Sequence, residues 1–289
     1  MTLNELIYKR ISESTELTKL LARYNDQPAV FFQKTPDDTD VGWENRCQYP
    51  QMNYVVDLQS NSERKTSGTL TLKIRCLENN IVLPEDLELV VKKLLCRVFL
   101  KPNDAPTYSL SWVKSDVFNE EHSDNIVNGI VLTFDVYGFL NQITSDPDPV
   151  LAINACVKNI EPNATIIGAD DFEEILIPNA QNPAFYFRIE SIQTQRETNT
   201  VAWVDAVLAG HIFAEEDEIK WQKILVDALA LDGEVTMLDT SPMLITSLKA
   251  DNTLDALSAG QLRICVRFGI LRRKPFAHVL KANVNYTTI

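Results

Sequence analysis

The residues with the widest chemical reach in this chain are few and scattered. Three histidines, His122, His211 and His278, stand far apart, and none has a second ligand at metal-binding spacing. The chain contains no H-E-x-x-H, no P-loop, no G-x-G-x-x-G and no G-x-S-x-G. Glu120, Glu121 and His122 form an acid–base triplet, but in a polar stretch they read as solvated side chains. The carboxylate clusters Asp37/Asp38/Asp40, Asp170/Asp171/Glu173/Glu174 and Glu215–Glu218 lack the alternate-residue spacing of a calcium loop and read as loops and helix starts. Asn163-Ala-Thr165 matches a glycosylation sequon by chance. These patterns predict a protein without catalytic chemistry, cofactor or metal, acting through its surface.

Two stretches are the better candidates for that surface. Gln59–Ser67 and Ser191–Asn199 each separate two strand-like runs, and each has about nine residues where two suffice for a turn. Both are rich in Gln, Asn, Ser, Thr and charge. Glu63, Arg64, Lys65, Gln195, Arg196 and Glu197 are the expected contacts with a neighbouring subunit. A second set, Glu120, Glu121 and Asp124 in the acidic stretch Asn119–Asn128, with Glu215, Glu216 and Asp217 at a helix start, could line a channel.

The elements that position these residues occur twice. Leu70, Leu72, Ile74 and Cys76 alternate with Thr71, Lys73 and Arg75, as in a half-buried strand. About 132 positions on, Ala202, Val204, Ala206 and Leu208 repeat the phase, with Val204 corresponding to Leu72. Strand candidates Met52–Leu58 and Ala184–Glu190 precede these rows. Helix candidates Leu87–Phe99 and Ile219–Leu229 follow, then the pairs Tyr108–Val117 with Ile130–Leu140 and Met243–Lys249 with Leu262–Leu271. Thr2 and Glu5 form a capping box for a first helix, Pro84 suits the first turn of another, and Asp232-Gly233 ends a third. The second copy opens with a helix at Val150–Ile160, and Ile175–Ile177 is a short strand.

The chain therefore reads as α+β, with two tandem copies of a small antiparallel sheet carrying helices on one face. The copies span residues 1–143 and 148–289, across the stiff linker Thr144-Ser-Asp-Pro-Asp-Pro149. Residues 274–289 are left over as an arm with apolar Phe276, Val279, Leu280, Val284 and Tyr286.

Composition narrows the function classes. The chain has 289 residues and a net charge of −13, spread over both halves. Such a surface argues against wrapping DNA or lying on an anionic membrane, yet it suits a wall that DNA slides past. No apolar run approaches the ~20 residues of a membrane helix, and the N-terminus lacks a signal-peptide pattern. Five cysteines without a C-x-x-C, several in apolar rows, predict reduced thiols inside a cell.

In architecture the chain resembles the phage tail terminator, or tail completion, proteins. The segment Gln48-Tyr-Pro50-Gln-Met-Asn-Tyr-Val-Val56, the hairpin and helix that follow it, and the closing strands Gly129–Tyr137 and Leu262–Phe268 carry the resemblance. It implies a structural subunit at the head-proximal end of a virion tail, assembled in the host cytoplasm. That subunit forms a ring capping the tail tube and meets a neck or connector protein and a sheath where one exists. DNA passes through the ring without specific binding. The family usually supplies one such domain per chain. A doubled chain implies a trimer with pseudo-sixfold symmetry or a two-tiered hexamer. A neck, sheath-attachment or baseplate-hub component is the nearest alternative, and a soluble α+β ligand-binding protein or hydrolase is the alternative from another class.

Overall fold

In the computed structural model, residues 1–272 are described, except 38, 104, 123, 124, 143 and 144. The arm 274–289 and Asp124 therefore lie outside the described residues. The protein is α+β, with sheet predominating over helix.

The first half opens with α1 (Leu3–Ser12), whose capping box is formed. Thr2 N–H donates to Glu5 Oε2 at 2.7 Å, and Glu5 N–H donates back to Thr2 Oγ1 at 3.3 Å. There follow α2 (Thr15–Thr18), the short strands β1 (Arg23–Tyr24), β2 (Gln27–Pro28) and β3 (Val30–Phe32), then β4 (Gln51–Asp57) and β5 (Gly68–Leu77). Next come α3 (Pro84–Leu95), β6 (Phe99–Leu100), β7 (Thr107–His122) and β8 (Asn125–Phe139). The second half comprises α4 (Pro149–Ile160), β9 (Thr165–Ile166), β10 (Ile175–Leu176), β11 (Ala184–Glu197), β12 (Val201–Phe213), α5 (Glu218–Asp232), β13 (Glu234–Thr236), β14 (Pro242–Ala250) and β15 (Leu262–Leu271).

The two large sheets share one strand order. From one edge the first runs β3-β4-β5-β8-β7-β6, with β10 beyond β6 as a seventh strand, and the second runs β9-β11-β12-β15-β14-β13. In each, the first pair is parallel and the rest are antiparallel. Each sheet is thus mixed at one edge, where the sequence suggested purely antiparallel pairing.

The central antiparallel pairs of the two sheets are alike. Leu72 faces Leu132, and 134 positions on Ala206 faces Val266; Leu70 faces Phe134 as Val204 faces Phe268. Leu72 with Leu132 matches Val204 with Phe268 as well as Ala206 with Val266, so register relates the two strand pairs only to within an even shift. On α3 Leu87, Val91 and Leu95 are buried, and on α5 Trp221, Leu225 and Leu229 are buried at the same four-residue spacing. Leu70, Leu72, Ile74 and Cys76 are fully buried and share one apolar cluster with residues of α1 and α3. The second half has its own cluster, which includes α4 and α5. Gly233, in the left-handed region at φ 69°, ends α5, where only glycine escapes the Cβ penalty.

Four expectations are corrected. Asn119–Asn128 is not an open loop, because β7 and β8 continue to His122 and from Asn125. Ser191–Asn199 is mostly strand, since β11 runs to Glu197 and meets β12 across a three-residue turn. Polar residues on both faces of these ribbons hid the alternation that burial of one face imposes. The third helix stops at Leu95, and Phe99 begins a strand. Ile175–Leu176 forms the predicted strand but pairs with β6 in the first sheet, joining the halves.

A third apolar cluster lies where the halves meet. Phe99, Tyr137 and Phe139 come from the first half, and Ile167, Ala184, Tyr186, Phe213 and Leu257 from the second. Phe99 and Phe213 stand edge to face with centroids 4.7 Å apart, and Phe139 meets Tyr186 at 5.1 Å and Phe213 at 5.7 Å. Truncating a buried Phe costs roughly 3–5 kcal/mol. Phe213→Ala is expected to lower unfolding stability in urea by about that amount, whereas Val117→Ala, on an exposed site, should change it by no more than ~0.5 kcal/mol. An unchanged urea midpoint for Phe213→Ala would contradict the junction.

Candidate functional site

The β4–β5 connection is a true loop, closed by a bridge between Asn61 and Thr66. The Asn61 side-chain oxygen accepts from Glu63 N–H at 3.0 Å and Arg64 N–H at 3.2 Å, which shapes the tip. Glu63, Arg64 and Lys65 are exposed there. Arg64 also reaches down to Asp135, a buried carboxylate 3.4 Å away. Burial raises the pKa of Asp135, and the Arg64 charge opposes that shift.

Gln195, Arg196 and Glu197 are exposed as expected but sit on β11, where Arg196 faces Trp203 and Glu197 faces Ala202. Glu197 is ion-paired with Arg272, just past β15. Gln195 and Arg196 join Trp203, Leu244 and Arg267 around a shallow cleft of about 400 Å³. Both predicted contact sets are thus accessible, one on a loop and one at the end of a ribbon.

The acidic candidates divide. Glu120 is engaged on the outer face of the first sheet by Lys73 and by Arg75, whose Nε lies 3.1 Å away, while Arg75 Nη1 donates to Asn53 at 2.7 Å. Burial acts to raise the Glu120 pKa, but hydrogen bonds from Lys73 and Arg75 outweigh it and the net shift is downward. Glu121 is exposed on β7. Glu215, Glu216 and Asp217 form a single 3-10 turn leading into α5. Glu215 and Glu216 are exposed, and Asp217 pairs with Lys220 at 3.0 Å.

Sequence reasoning missed the junction, and its most informative polar residue is His211. This ring is buried, with Nδ1 2.6 Å from the Ala256 carbonyl and Nε2 accepting from Arg188 Nε at 3.2 Å. That pattern assigns the proton to Nδ1 and leaves the ring neutral. Burial is the main cause of a pKa pushed down to about 4; the Ala256 hydrogen bond opposes it, and the Arg188 and Arg263 charges reinforce it. Around it, Glu190 takes Arg263 at 2.7 Å and Arg188 at 3.3 Å. A signal for this region was present in the sequence. Leu208–Phe213 and Ala184–Phe187 are apolar without alternation, as expected where a second layer covers the outer face.

Among the described residues, no group of three or more His, Cys, Asp or Glu side chains could hold a metal ion. No described helix is long and apolar enough to cross a membrane. No family model, curated protein or solved structure matches the chain.

The His211 pKa gives a pH dependence with a definite sign. A histidine with a folded pKa of about 4 against an unfolded ~6.5 contributes its stability in full above about pH 6.5 and loses it as pH falls toward 4. The melting temperature should therefore drop between pH 7.5 and 5, and His211→Phe, which cannot titrate, should drop less. Equal drops in the two proteins would contradict the buried neutral ring.

Proposed function

We propose that this chain is a structural protein of a phage tail or phage-tail-like particle. In this reading it is the terminator, whose ring caps the tail tube at the head-proximal end and joins it to the neck. The observation carrying the reading is the way two sheets of equal strand order meet. The first half offers β6 and the end of β8; the second offers β10, the start of β11 and the end of β12. Unlike surfaces joined head to tail do not close on themselves as a twofold pair. Repeated, they generate a ring or a filament.

The common strand order supports descent of residues 1–143 and 148–289 from one duplicated domain, with helices on one face of each sheet and the arm 274–289 appended. On that basis three chains give six quasi-equivalent domains, and six chains give a second tier. The exposed tips with Glu63, Arg64 and Lys65 and with Gln195, Arg196 and Glu197 are assigned to neighbouring subunits or the last tube ring. The exposed acids Glu121, Glu215 and Glu216 are assigned to the channel wall, where they repel phosphate so that DNA passes without sticking. Glu120 and Asp217 spend their charge on local ion pairs.

The test is the mass of the assembly, measured by native mass spectrometry or light scattering, alone and mixed with tail-tube protein. The expected species contain three or six copies of the 32.7 kDa chain; a monomer under all conditions would contradict the ring. A second outcome concerns the loop tip. Glu63→Ala with Lys65→Ala should unfold within ~1 kcal/mol of the parent, as exposed substitutions do. The double variant should bind tube protein at least tenfold more weakly. Unchanged binding would remove the tip from the contact.

A further inference from the structure

The two halves differ at one matched place. In the second half, the segment leaving β8 lies across the groove bounded by α4, β9 and β11. Gln142 N–H donates to the Gly168 carbonyl at 2.9 Å, and Gln142 Nε2 donates to the Phe187 carbonyl at 3.2 Å. With that segment in place, a pocket of about 250 Å³ remains beside Val150, Leu151 and Phe187.

The same elements of the first half, α1, β3 and β4, bound a groove of about 750 Å³ lined by Met1, Tyr8, Val30, Phe32 and Tyr54. In both halves the short edge strand pairs in parallel with the next strand, Val30 facing Met52 and Ile166 facing Phe185. Phe32 is 43% exposed on this rim. Asn4 Oδ1, also in the lining, is buried and has no hydrogen-bond partner among the described residues. An apolar trough with an unused acceptor suits a peptide segment.

We propose that residues 273–289 of one copy fill this groove on the next copy. The segment follows β15 as Leu140–Gln142 follows β8, so it is the counterpart of the chain that fills the other groove. Arg272 N–H donates to the Thr200 carbonyl at 2.8 Å, so the chain departs at the β11–β12 turn, the far end of the ribbon. Seventeen extended residues reach roughly 55 Å at ~3.3 Å each. Phe276, Val279, Leu280, Val284 and Tyr286 supply apolar side chains for the trough. The segment carries Arg273, Lys274 and Lys281 and no acidic residue, and the charged groups on the groove rim are Glu5, Lys34 and Lys9, the last paired with Glu174. The receiving groove is on another copy because the step from first to second half is head to tail, and repeating it leads onward; this clause rests on the ring reading above.

Two variants and one peptide test the proposal. A chain ending at Arg272 keeps every described element but has no arm; full-length Phe32→Asp keeps the arm but places a charge in the groove. Each alone should run as a monomer by light scattering, and a 1:1 mixture should yield a heterodimer, one lending its arm and the other its groove. A fluorescein-labelled peptide of residues 273–289 should bind the truncated chain by anisotropy, and Phe32→Asp in that truncated chain should weaken binding at least tenfold. If the truncated chain keeps the parent's assembled mass and binds no peptide, the arm proposal falls and the ring stands. If the peptide binds while the parent itself is monomeric, the arm folds onto its own groove, and both the proposal and the ring fall.

Discussion

The structure depends on strand ends that must be covered on both faces. β11 and β12 bury Phe185, Phe187, Leu208 and Ile212 inward, while Tyr186, His211 and Phe213 point outward from the same strands. Water could not solvate that outer row without exposing several aromatic rings. The first half supplies the cover with Phe99 and Phe139, meeting Phe213 and Tyr186 edge to face. Such pairs contribute about 0.5–1.5 kcal/mol beyond the area they bury. The β6–β10 pair and the Lys9–Glu174 and Arg97–Glu218 ion pairs, at 2.7 and 3.1 Å, frame the same junction. One interaction thus sets the relation of the halves and the neutrality of His211.

The matching face of the first half is built differently. Asn53, Lys73, Arg75 and Glu120 form a charged network on the outer side of β4, β5 and β7. A charged face stays soluble in an isolated chain, whereas the aromatic face is covered within the chain itself. In a ring, contacts within a chain would then be permanent and contacts between chains more polar. That difference suits a subunit folded first and assembled later.

Much of the fold was legible wherever one face of an element is buried. The row Leu70–Cys76 declared its strand and its inward side. Thr2 with Glu5, Pro84 and Gly233 marked helix ends because backbone groups there need particular partners or dihedral angles. Ser191–Glu197 and Asn119–Glu121 were misread as loops because, beyond the core, neither face of the ribbon is constrained to be apolar. A strand alternates with period two, so a shift of two keeps every side chain on its face, and alternation alone cannot separate Val204 from Ala206 as the partner of Leu72. Pairing across the sheet leaves the same choice, since Leu72 with Leu132 matches both Val204 with Phe268 and Ala206 with Val266. The candidate site was legible only as polarity. That Glu63 and Lys65 crown a loop while Glu120 is tied to Lys73 and Arg75 depends on cross-strand neighbours distant in sequence.

The central claim is that a head-to-tail step, made once inside the chain, is made again between chains. The most direct measurement is the rotational symmetry of assembled particles by cryo-electron microscopy. The account expects rings of six similar lobes around an open channel, with threefold symmetry at chain resolution or sixfold with two tiers. Closed twofold dimers, in which identical surfaces face each other, would contradict it.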